Sequence, residues 1–171
     1  MKNKIYKYDF LIVGAGLVGS LAAIALHQKK YNVLVIEKNK LFPKDNRTLA
    51  VNANSRDFLR DLDLWKDLKS NYESIDKIVI KDNLNKEDLI FQNYQESMGS
   101  VIFNKSLLKI SREYLIKNEL LLTNIDFDSF NFKPKKTFSI NSKNFVFNKI
   151  IFSLGKNYTN HENLKKNIFD F

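Results

Sequence analysis

Three glycines near the N-terminus constrain the fold of this chain more than any other feature of its sequence. Gly14, Gly16 and Gly19 lie between an apolar run at residues 8–13 and a segment, residues 17–28, whose apolar side chains recur at helical spacing. Gly14 allows a tight turn out of a strand, because a residue without a Cβ adopts backbone angles closed to other residues. Gly19 allows the following helix to pack closely against the sheet. The pattern predicts a strand, a tight turn and a helix in direct succession.

A second apolar run completes a β-α-β unit and ends in an acid. Residues 32–36 indicate a strand, and Glu37 follows it, eighteen residues after Gly19. In dinucleotide-binding units, an acid about 20 residues beyond the glycines accepts hydrogen bonds from the adenosine ribose. Gly16 would let the backbone approach a pyrophosphate, which the amides and positive dipole end of the helix would face. We therefore predict a dinucleotide site. The acid favours FAD or NAD over NADP, because it would repel a 2′-phosphate; the alternative is a plain turn beside a surface acid.

The composition fits one domain and excludes several functions. The chain has 171 residues, of which 44% are hydrophobic, and this allows a substantial core. It has no cysteine, which excludes disulfides and thiolate catalysis and is compatible with a reducing cytoplasm. No apolar run reaches the ~18 residues of a membrane span, and the basic N-terminus lacks the apolar core of a secretion signal. No constellation of metal ligands is evident, so no metal is expected.

The formal net charge of +9 raises the question of an anionic partner. A basic surface can attract nucleic acids or an anionic membrane. The lysines are scattered among asparagine, isoleucine and phenylalanine, and the short basic cluster at residues 133–136 indicates a loop. We therefore expect no nucleic-acid binding. Peripheral attraction to the inner face of the membrane stays open for a protein that we expect in the cytoplasm.

The rest of the sequence predicts alternating helices and strands. The segment at residues 51–63 is helical in pattern, and Trp65 extends its apolar side into the core. The overall prediction is an α/β, Rossmann-like domain with a parallel sheet and a small antiparallel β meander. Further strands are predicted at residues 74–81, 89–92, 99–103, 120–122 and 149–155, a helix at residues 104–117, and the meander at residues 127–147.

Four segments carry a resemblance to a known family. They are the β-α-β unit at residues 8–37, the Asn-Arg-Thr-Leu-Ala run within residues 46–55, the Leu-Arg-Asp-Leu-Asp-Leu-Trp run at residues 59–65, and Val-Ile-Phe-Asn-Lys-Ser-Leu-Leu at residues 101–108. In this order they resemble the flavin-dependent aromatic hydroxylases of the para-hydroxybenzoate hydroxylase type. They are most similar to the hydroxylases of ubiquinone biosynthesis.

The resemblance implies an FAD cofactor, NADPH or NADH as the electron donor, and an aromatic polyprenyl-type substrate. Arg47 would contact FAD near its pyrophosphate or ribitol, where a cation offsets phosphate charge; otherwise it is a solvated loop residue. Asn104 would place its amide against the cofactor; otherwise it is an ordinary helix N-cap. No catalytic residue can be named, since His27 falls late in the first helix and His161 in a polar tail. The expected cofactor-binding residues are Gly14, Ala15, Gly16, Leu17, Val18, Gly19, Glu37, Lys38, Arg47, Asn104 and Gly155.

The sequence departs from the family near its end. Leu154 stands before Gly155 where the family has an aspartate, and the acid that holds the flavin ribitol has no counterpart in these residues. We therefore expect residues 1–156 to be the N-terminal FAD-binding part of a hydroxylase. Residues 157–171 would be a polar tail that begins a missing substrate domain, and this chain alone would be truncated and inactive. The alternatives are a small NAD- or FAD-binding module, one half of a two-chain flavoprotein, or a poorly folding remnant.

Overall fold

The computed structural model describes residues 5–40, 46–68, 71–81, 87–126, 137–140 and 143–155. The chain forms two compact units: one comprises Met1–Phe42 and Arg112–Phe171, and the other comprises Pro43–Ser111. The strands are β1 (Ile5–Val13), β2 (Val33–Ile36), β3 (Thr48–Asn52), β4 (Tyr72–Ile75), β5 (Lys77–Ile80), β6 (Leu89–Gln92), β7 (Gly99–Phe103), β8 (Leu121–Leu122), β9 (Thr137–Ile140) and β10 (Lys143–Phe152), and the α-helices are α1 (Leu17–Gln28), α2 (Ala53–Asp61) and α3 (Asn104–Lys117).

The first unit contains a five-stranded sheet in the order β8-β2-β1-β10-β9. Strand β1 lies at its centre and pairs in parallel with β2 on one side and with β10 on the other. Only β9 runs antiparallel, as the neighbour of β10. The last three residues of β1, 11–13, and all of β2 are buried, which explains why these stretches are entirely apolar. This mostly parallel sheet confirms the predicted α/β, Rossmann-like fold.

Helix α1 packs against this sheet through its smallest residues. Its buried positions are Gly19, Ser20, Ala23 and Ile24, which form two pairs spaced four residues apart on one helical face. The small side chains at three of these positions allow the helix axis to approach the strands closely. The helix ends at Gln28, where the following residues turn the chain back into β2.

An aromatic cluster fills the core beside β10. The rings of Phe138 and Phe145 stack with their centroids 4.9 Å apart, and Phe147 lies next to them. All three are buried together with Leu11 and Leu34 from the parallel strands. Burying each phenylalanine stabilises the fold by about 1.5–3 kcal/mol. These residues belong to the part of the predicted meander that the structure describes.

The second unit contains an antiparallel sheet, β3-β7-β4, and a separate hairpin of β5 and β6. Helix α2 follows β3 directly, and Asn52 caps it, because its side-chain oxygen accepts a hydrogen bond from the amide of Ser55 at 2.9 Å. A short 3₁₀ turn, Trp65–Leu68, follows α2. Trp65 is buried there, which confirms its prediction as a core residue.

Three boundary predictions were wrong. The helix predicted from residue 51 begins at Ala53, because Thr48–Asn52 pairs with β7 as a strand. The single strand predicted at residues 74–81 is two strands, β4 and β5, which pair with different partners. The predicted meander and the predicted parallel strand share one continuous strand, β10.

Some predictions fall outside the described residues: the basic cluster at residues 133–136, most of the first half of the meander, His161 and the polar tail at residues 157–171. None of the helices in the described part of the chain combines the length and apolar character that a membrane span requires.

Candidate functional site

The turn that follows β1 is fixed by contacts that leave no room for a side chain at Gly14. This residue has a φ of +101°, and its amide donates to the carbonyl oxygen of Ile36 at 2.8 Å. A Cβ at Gly14 would lie 2.6 Å from the backbone oxygen of Ser153. Both the backbone conformation and the available space therefore require glycine at this position.

Gly19 is required for a different reason, which is the close approach of α1 to the strand ends. A Cβ at Gly19 would overlap the carbonyl oxygen of Gly14 and the hydroxyl oxygen of Ser153. Ser153 follows β10 directly, and its hydroxyl proton is shared between the carbonyl oxygens of Val13 at 3.0 Å and Gly14 at 2.8 Å. The end of β1, the start of α1 and the end of β10 are therefore locked together.

Gly16 is under no such constraint. Its φ of −68° and ψ of −178° are open to any residue, and an added Cβ would meet no atom of the described chain within 4 Å. It is the N-cap of α1, yet no side chain among the described residues caps that helix end. The amides of the first turn therefore point out of the helix without a capping oxygen. The fold does not need glycine at this position. A ligand that approaches these amides, however, would need the space that glycine leaves open.

Two other expected cofactor-binding residues lie in the first turn of α1. Leu17 is partly buried, and Val18 is 74% exposed, although it is apolar. An exposed valine at the mouth of the glycine turn offers an apolar surface beside the free amides. Phosphate groups that bind at the N-terminus of a helix do so through backbone amides, so at such a site the direction of the two amides would matter more than the identity of the two side chains.

Glu37 bends its carboxylate back onto the glycine turn. One carboxylate oxygen, Oε2, accepts a hydrogen bond from the amide of Ala15 at 2.7 Å, and the other, Oε1, accepts one from the amide of Asn39 at 2.9 Å. The side chain is only 12% exposed. The acid at the end of β2 therefore lies beside the turn, and the structure brings Ala15 and Glu37 into direct contact.

Arg112 is a residue of this cluster that the sequence reasoning missed. Its Nε donates to the carbonyl oxygen of Ala15 at 2.9 Å, and its Nη2 lies 3.4 Å from Oε2 of Glu37. Burial lowers the pKa of the guanidinium below its usual value, and the attraction of Glu37 acts in the opposite direction. A signal was present, because helical spacing places residue 112 on the same face of α3 as Leu108 and Leu115, where an apolar residue is expected.

Lys38 and Gly155, two further expected residues, lie near the strand ends of the same unit. Lys38 is largely exposed, and its amino group lies 3.4 Å from a carboxylate oxygen of Asp126. Gly155 is exposed with a φ of +76°. Leu154, which stands in the place of the family's aspartate, packs against the aromatic cluster beside β10. Its role here is to cover the core.

Arg47 and Asn104 belong to the second unit. The amide of Asn104 donates to the carbonyl oxygen of Arg47 at 3.0 Å, so the structure brings these two expected residues together. Asn104 is buried at the start of α3, whereas Arg47 is exposed just before β3. Their backbones are linked because β3 and β7 pair in an antiparallel manner, so that β3 begins beside the end of β7.

The described residues offer no obvious catalytic or metal-binding cluster. His27 lies at the end of α1, and its Nδ1 is 3.0 Å from the hydroxyl of Tyr114, so it makes a local contact away from the glycine turn. In the ranges that the structure covers, no group of three His, Cys, Asp or Glu residues is arranged to hold a metal ion. The cluster around Ala15 can present backbone amides and a carboxylate to a ligand.

Sequence comparison supports a nucleotide-binding interpretation of this geometry. A family profile described as an NAD(P)-binding Rossmann-like domain matches residues 12–42, which contain the glycine turn and Glu37. No protein with a curated function matches the sequence.

Solved structures resemble this chain in fold. An oxygenase of 2-methyl-3-hydroxypyridine-5-carboxylic acid has 15% identity and a TM-score of 0.56 over 72% of this chain and 32% of its own. A flavoprotein/dehydrogenase from Cytophaga hutchinsonii has 16% identity and a TM-score of 0.65 over 87% of this chain and 39% of its own. CtdE in complex with FAD and a substrate has 25% identity and a TM-score of 0.55 over 70% of this chain and 30% of its own. This chain thus spans about a third of the length of the structures that it resembles.

Proposed function

We propose that this chain binds FAD and forms the N-terminal cofactor-binding part of an FAD-dependent monooxygenase that acts on aromatic rings. The observation that carries the proposal is the contrast among the three glycines. Gly14 and Gly19 are required by the fold, whereas the space beside Gly16 is open. An open position at the uncapped N-terminus of a helix fits a pyrophosphate held by backbone amides.

The surrounding residues fit the adenosine diphosphate half of such a cofactor. The amides of Leu17 and Val18 would hold the phosphates, and Glu37 would accept a hydrogen bond from the ribose. A carboxylate at this position disfavours a 2′-phosphate, and this argues against NADP. When bound, the flavin supplies the redox chemistry and the activation of oxygen, while the protein binds it, orients it and excludes water.

The choice of FAD over NAD is supported by the structural relatives. CtdE contains FAD, and the other two relatives are a flavoprotein and an oxygenase. The roles of Arg47, Asn104, Lys38 and Gly155 as further contacts of FAD are part of this proposal.

The finer assignment rests on the family resemblance. We propose a ring hydroxylation of the ubiquinone-biosynthesis type, with NADPH or NADH as the donor, an aromatic polyprenyl-type substrate, and peripheral association with the inner face of the membrane. This hydroxylation is proposed for a longer protein, of which this chain would be the N-terminal cofactor-binding part. We expect these 171 residues alone to bind FAD weakly and to show no NADPH-dependent oxygen uptake.

The proposal is tested by titrating the chain with FAD, NAD and NADP and following thermal unfolding. A ligand that binds only the folded state raises its stability by about 2.7 kcal/mol at a concentration one hundred times its dissociation constant. We expect FAD to raise the unfolding temperature in a saturable way, with little effect of NADP. Tight stoichiometric FAD together with oxygen uptake would contradict the expected inactivity of this chain.

A second function is favoured by the family profile, which describes an NAD(P)-binding domain. In that case the chain is a small Rossmann-like binding module that responds to NAD, or one half of a two-chain flavoprotein. Stabilisation by NAD but not by FAD would select the NAD module. If the chain does not unfold cooperatively even with excess nucleotide, this would instead indicate a remnant that folds poorly.

A further inference from the structure

Both backbone polar groups of one residue in the glycine turn, Ala15, contact charged side chains that come from elsewhere in the chain. Ala15 lies between the first two glycines and is fully buried. Its amide donates to Glu37, from the end of β2, and its carbonyl oxygen accepts from Arg112, in α3. Glu37 and Arg112 also contact each other, at 3.4 Å. The three residues form a closed ring of contacts, which we call the Ala15 clamp.

The clamp assigns the two oxygens of the Glu37 carboxylate to different tasks. Oε2 faces inward, to the amide of Ala15 and to Arg112, while Oε1 accepts from the amide of Asn39. A carboxylate offers about four acceptor positions. Three are engaged by donors among the described residues, so room remains for a further donor from a ligand. Arg112 lies beside the oxygen that faces inward, 3.4 Å from it.

A guanidinium is a costly choice at this position of α3. The Arg112 side chain is only 5% exposed, and a buried charge is expensive to desolvate. An apolar residue would fill the same face of the helix, and replacing a buried ion pair with apolar residues is often neutral or stabilising. Packing therefore does not account for an arginine here. The planar fork of donors of the guanidinium accounts for the arginine, because it reaches Ala15 and Glu37 at the same time.

We propose that Arg112 is a positioning residue of the nucleotide site, which holds Glu37 in the orientation that receives the ribose 2′-hydroxyl of an adenosine diphosphate group. Arg112 does not touch the ligand in this scheme. It acts through the Ala15 clamp, which fixes the glycine turn and the carboxylate relative to each other. This role rests on the proposed function, since it presupposes a nucleotide at the turn.

The test compares two probes that differ only in the hydroxyl: ADP and 2′-deoxy-ADP. Their dissociation constants are measured by calorimetric titration of the full chain at a temperature where each variant is folded. In the unmodified protein we expect ADP to bind about tenfold tighter or more, because a hydrogen bond to a charged group is lost with the 2′-hydroxyl. Glu37→Gln should reduce that ratio to about threefold or less.

Arg112→Met keeps an apolar stem of similar length and removes the guanidinium. If Arg112 positions the carboxylate, the preference of Arg112→Met for ADP over 2′-deoxy-ADP should fall to that of Glu37→Gln. The variant that carries both substitutions should show no further loss of this preference, since the two residues act as a unit. Arg112→Lys keeps the buried charge but cannot reach both partners through a planar fork, so its ratio should be intermediate.

A matched control is Leu115→Ala, which removes buried packing one turn further along α3 and leaves the clamp intact. It should lower the unfolding temperature without changing the ratio. A retained ratio in Arg112→Met would overturn the positioning role alone, even if that variant were less stable. If Arg112→Met does not fold, Arg112→Lys decides, and a ratio equal to that of the unmodified protein refutes the role. Absence of ADP and FAD binding by the unmodified chain would overturn the proposed function as well.

Discussion

The contrast between Gly16 and its two neighbouring glycines leads to a prediction that separates binding from folding. The perturbation is Gly16→Ala, the smallest change that places a carbon atom in the open space beside the turn. The backbone angles of Gly16 suit alanine, and the added Cβ meets no described atom within 4 Å. The folded chain should therefore accept this substitution without rearrangement.

The expected change in stability is close to zero. Alanine restricts the unfolded chain and so stabilises by about 0.4–1 kcal/mol. It is a poorer N-cap than glycine, and this costs about 0.5–1 kcal/mol. The two effects offset each other to within about 0.5 kcal/mol. We expect a larger effect on binding, because the Cβ would hold the proposed pyrophosphate away from the helix amides. Losing one hydrogen bond to a charged group costs about 1.5–3 kcal/mol, which weakens binding about ten- to hundredfold.

The two quantities are measured separately. Urea unfolding without nucleotide gives the free energy of unfolding, and flavin fluorescence quenching gives the dissociation constant of FAD. Asn52→Ser is a suitable control, because it exchanges one good N-cap for another in α2 and should leave both values unchanged. An unchanged FAD affinity in Gly16→Ala would refute the reasoning, and so would a loss of stability above about 2 kcal/mol, since either result means that the open space is not reserved for a ligand.

Three further variants test other features by urea unfolding. Gly19→Ala should cost at least about 2 kcal/mol, because its Cβ would overlap backbone and side-chain atoms of the turn; a stable variant would contradict the tight packing of α1. Asp63→Gly should stabilise the folded chain by about 0.5–1 kcal/mol, because Asp63 has a φ of +60° at the end of α2, which favours glycine. A loss of stability would mean that the ion pair of Asp63 with Lys66 contributes more than the relief of this backbone strain. Arg56→Met should change stability by less than about 1 kcal/mol, although Arg56 is buried. Its Nε lacks a partner among the described residues, and Glu96 is 70% exposed and stays solvated; a larger loss would show that this pair is structural.

Local patterns predicted the first β-α-β unit well, because its signals are close together in sequence. The glycines, the apolar periodicity of α1 and the run before Glu37 all lie within thirty-odd residues, and the bounds of α1 match the prediction. The errors occurred where a strand depends on a distant partner. Thr48–Asn52 is a strand because it pairs with β7, whereas the sequence predicted that a helix begins at residue 51, within this strand. The continuity of β10 depends in the same way on β1.

The site was predictable in its residues and less so in their arrangement. Sequence reasoning gave each glycine a role, but only the structure separates the two that the fold needs from Gly16. Glu37 was expected to face a ribose, and the hydrogen bond from Ala15 to its carboxylate depends on how the chain folds back at that point. Arg112 could not be linked to the turn, because no local pattern indicates where α3 places a side chain 97 residues away from its partner.

The hydrogen bonds that Ser153 makes to the glycine turn have a consequence for biosynthesis. The hydroxyl of Ser153 and the carbonyl of Gly14 are separated by 139 residues, so the turn leaves the ribosome long before its support does. At about 5–20 residues per second, the delay is about 7–28 seconds. During that time one side of β1 has no neighbouring strand and can pair with other nascent chains. Strand β1 is thus synthesised early, but it has a neighbour on both sides only after β10 has been made.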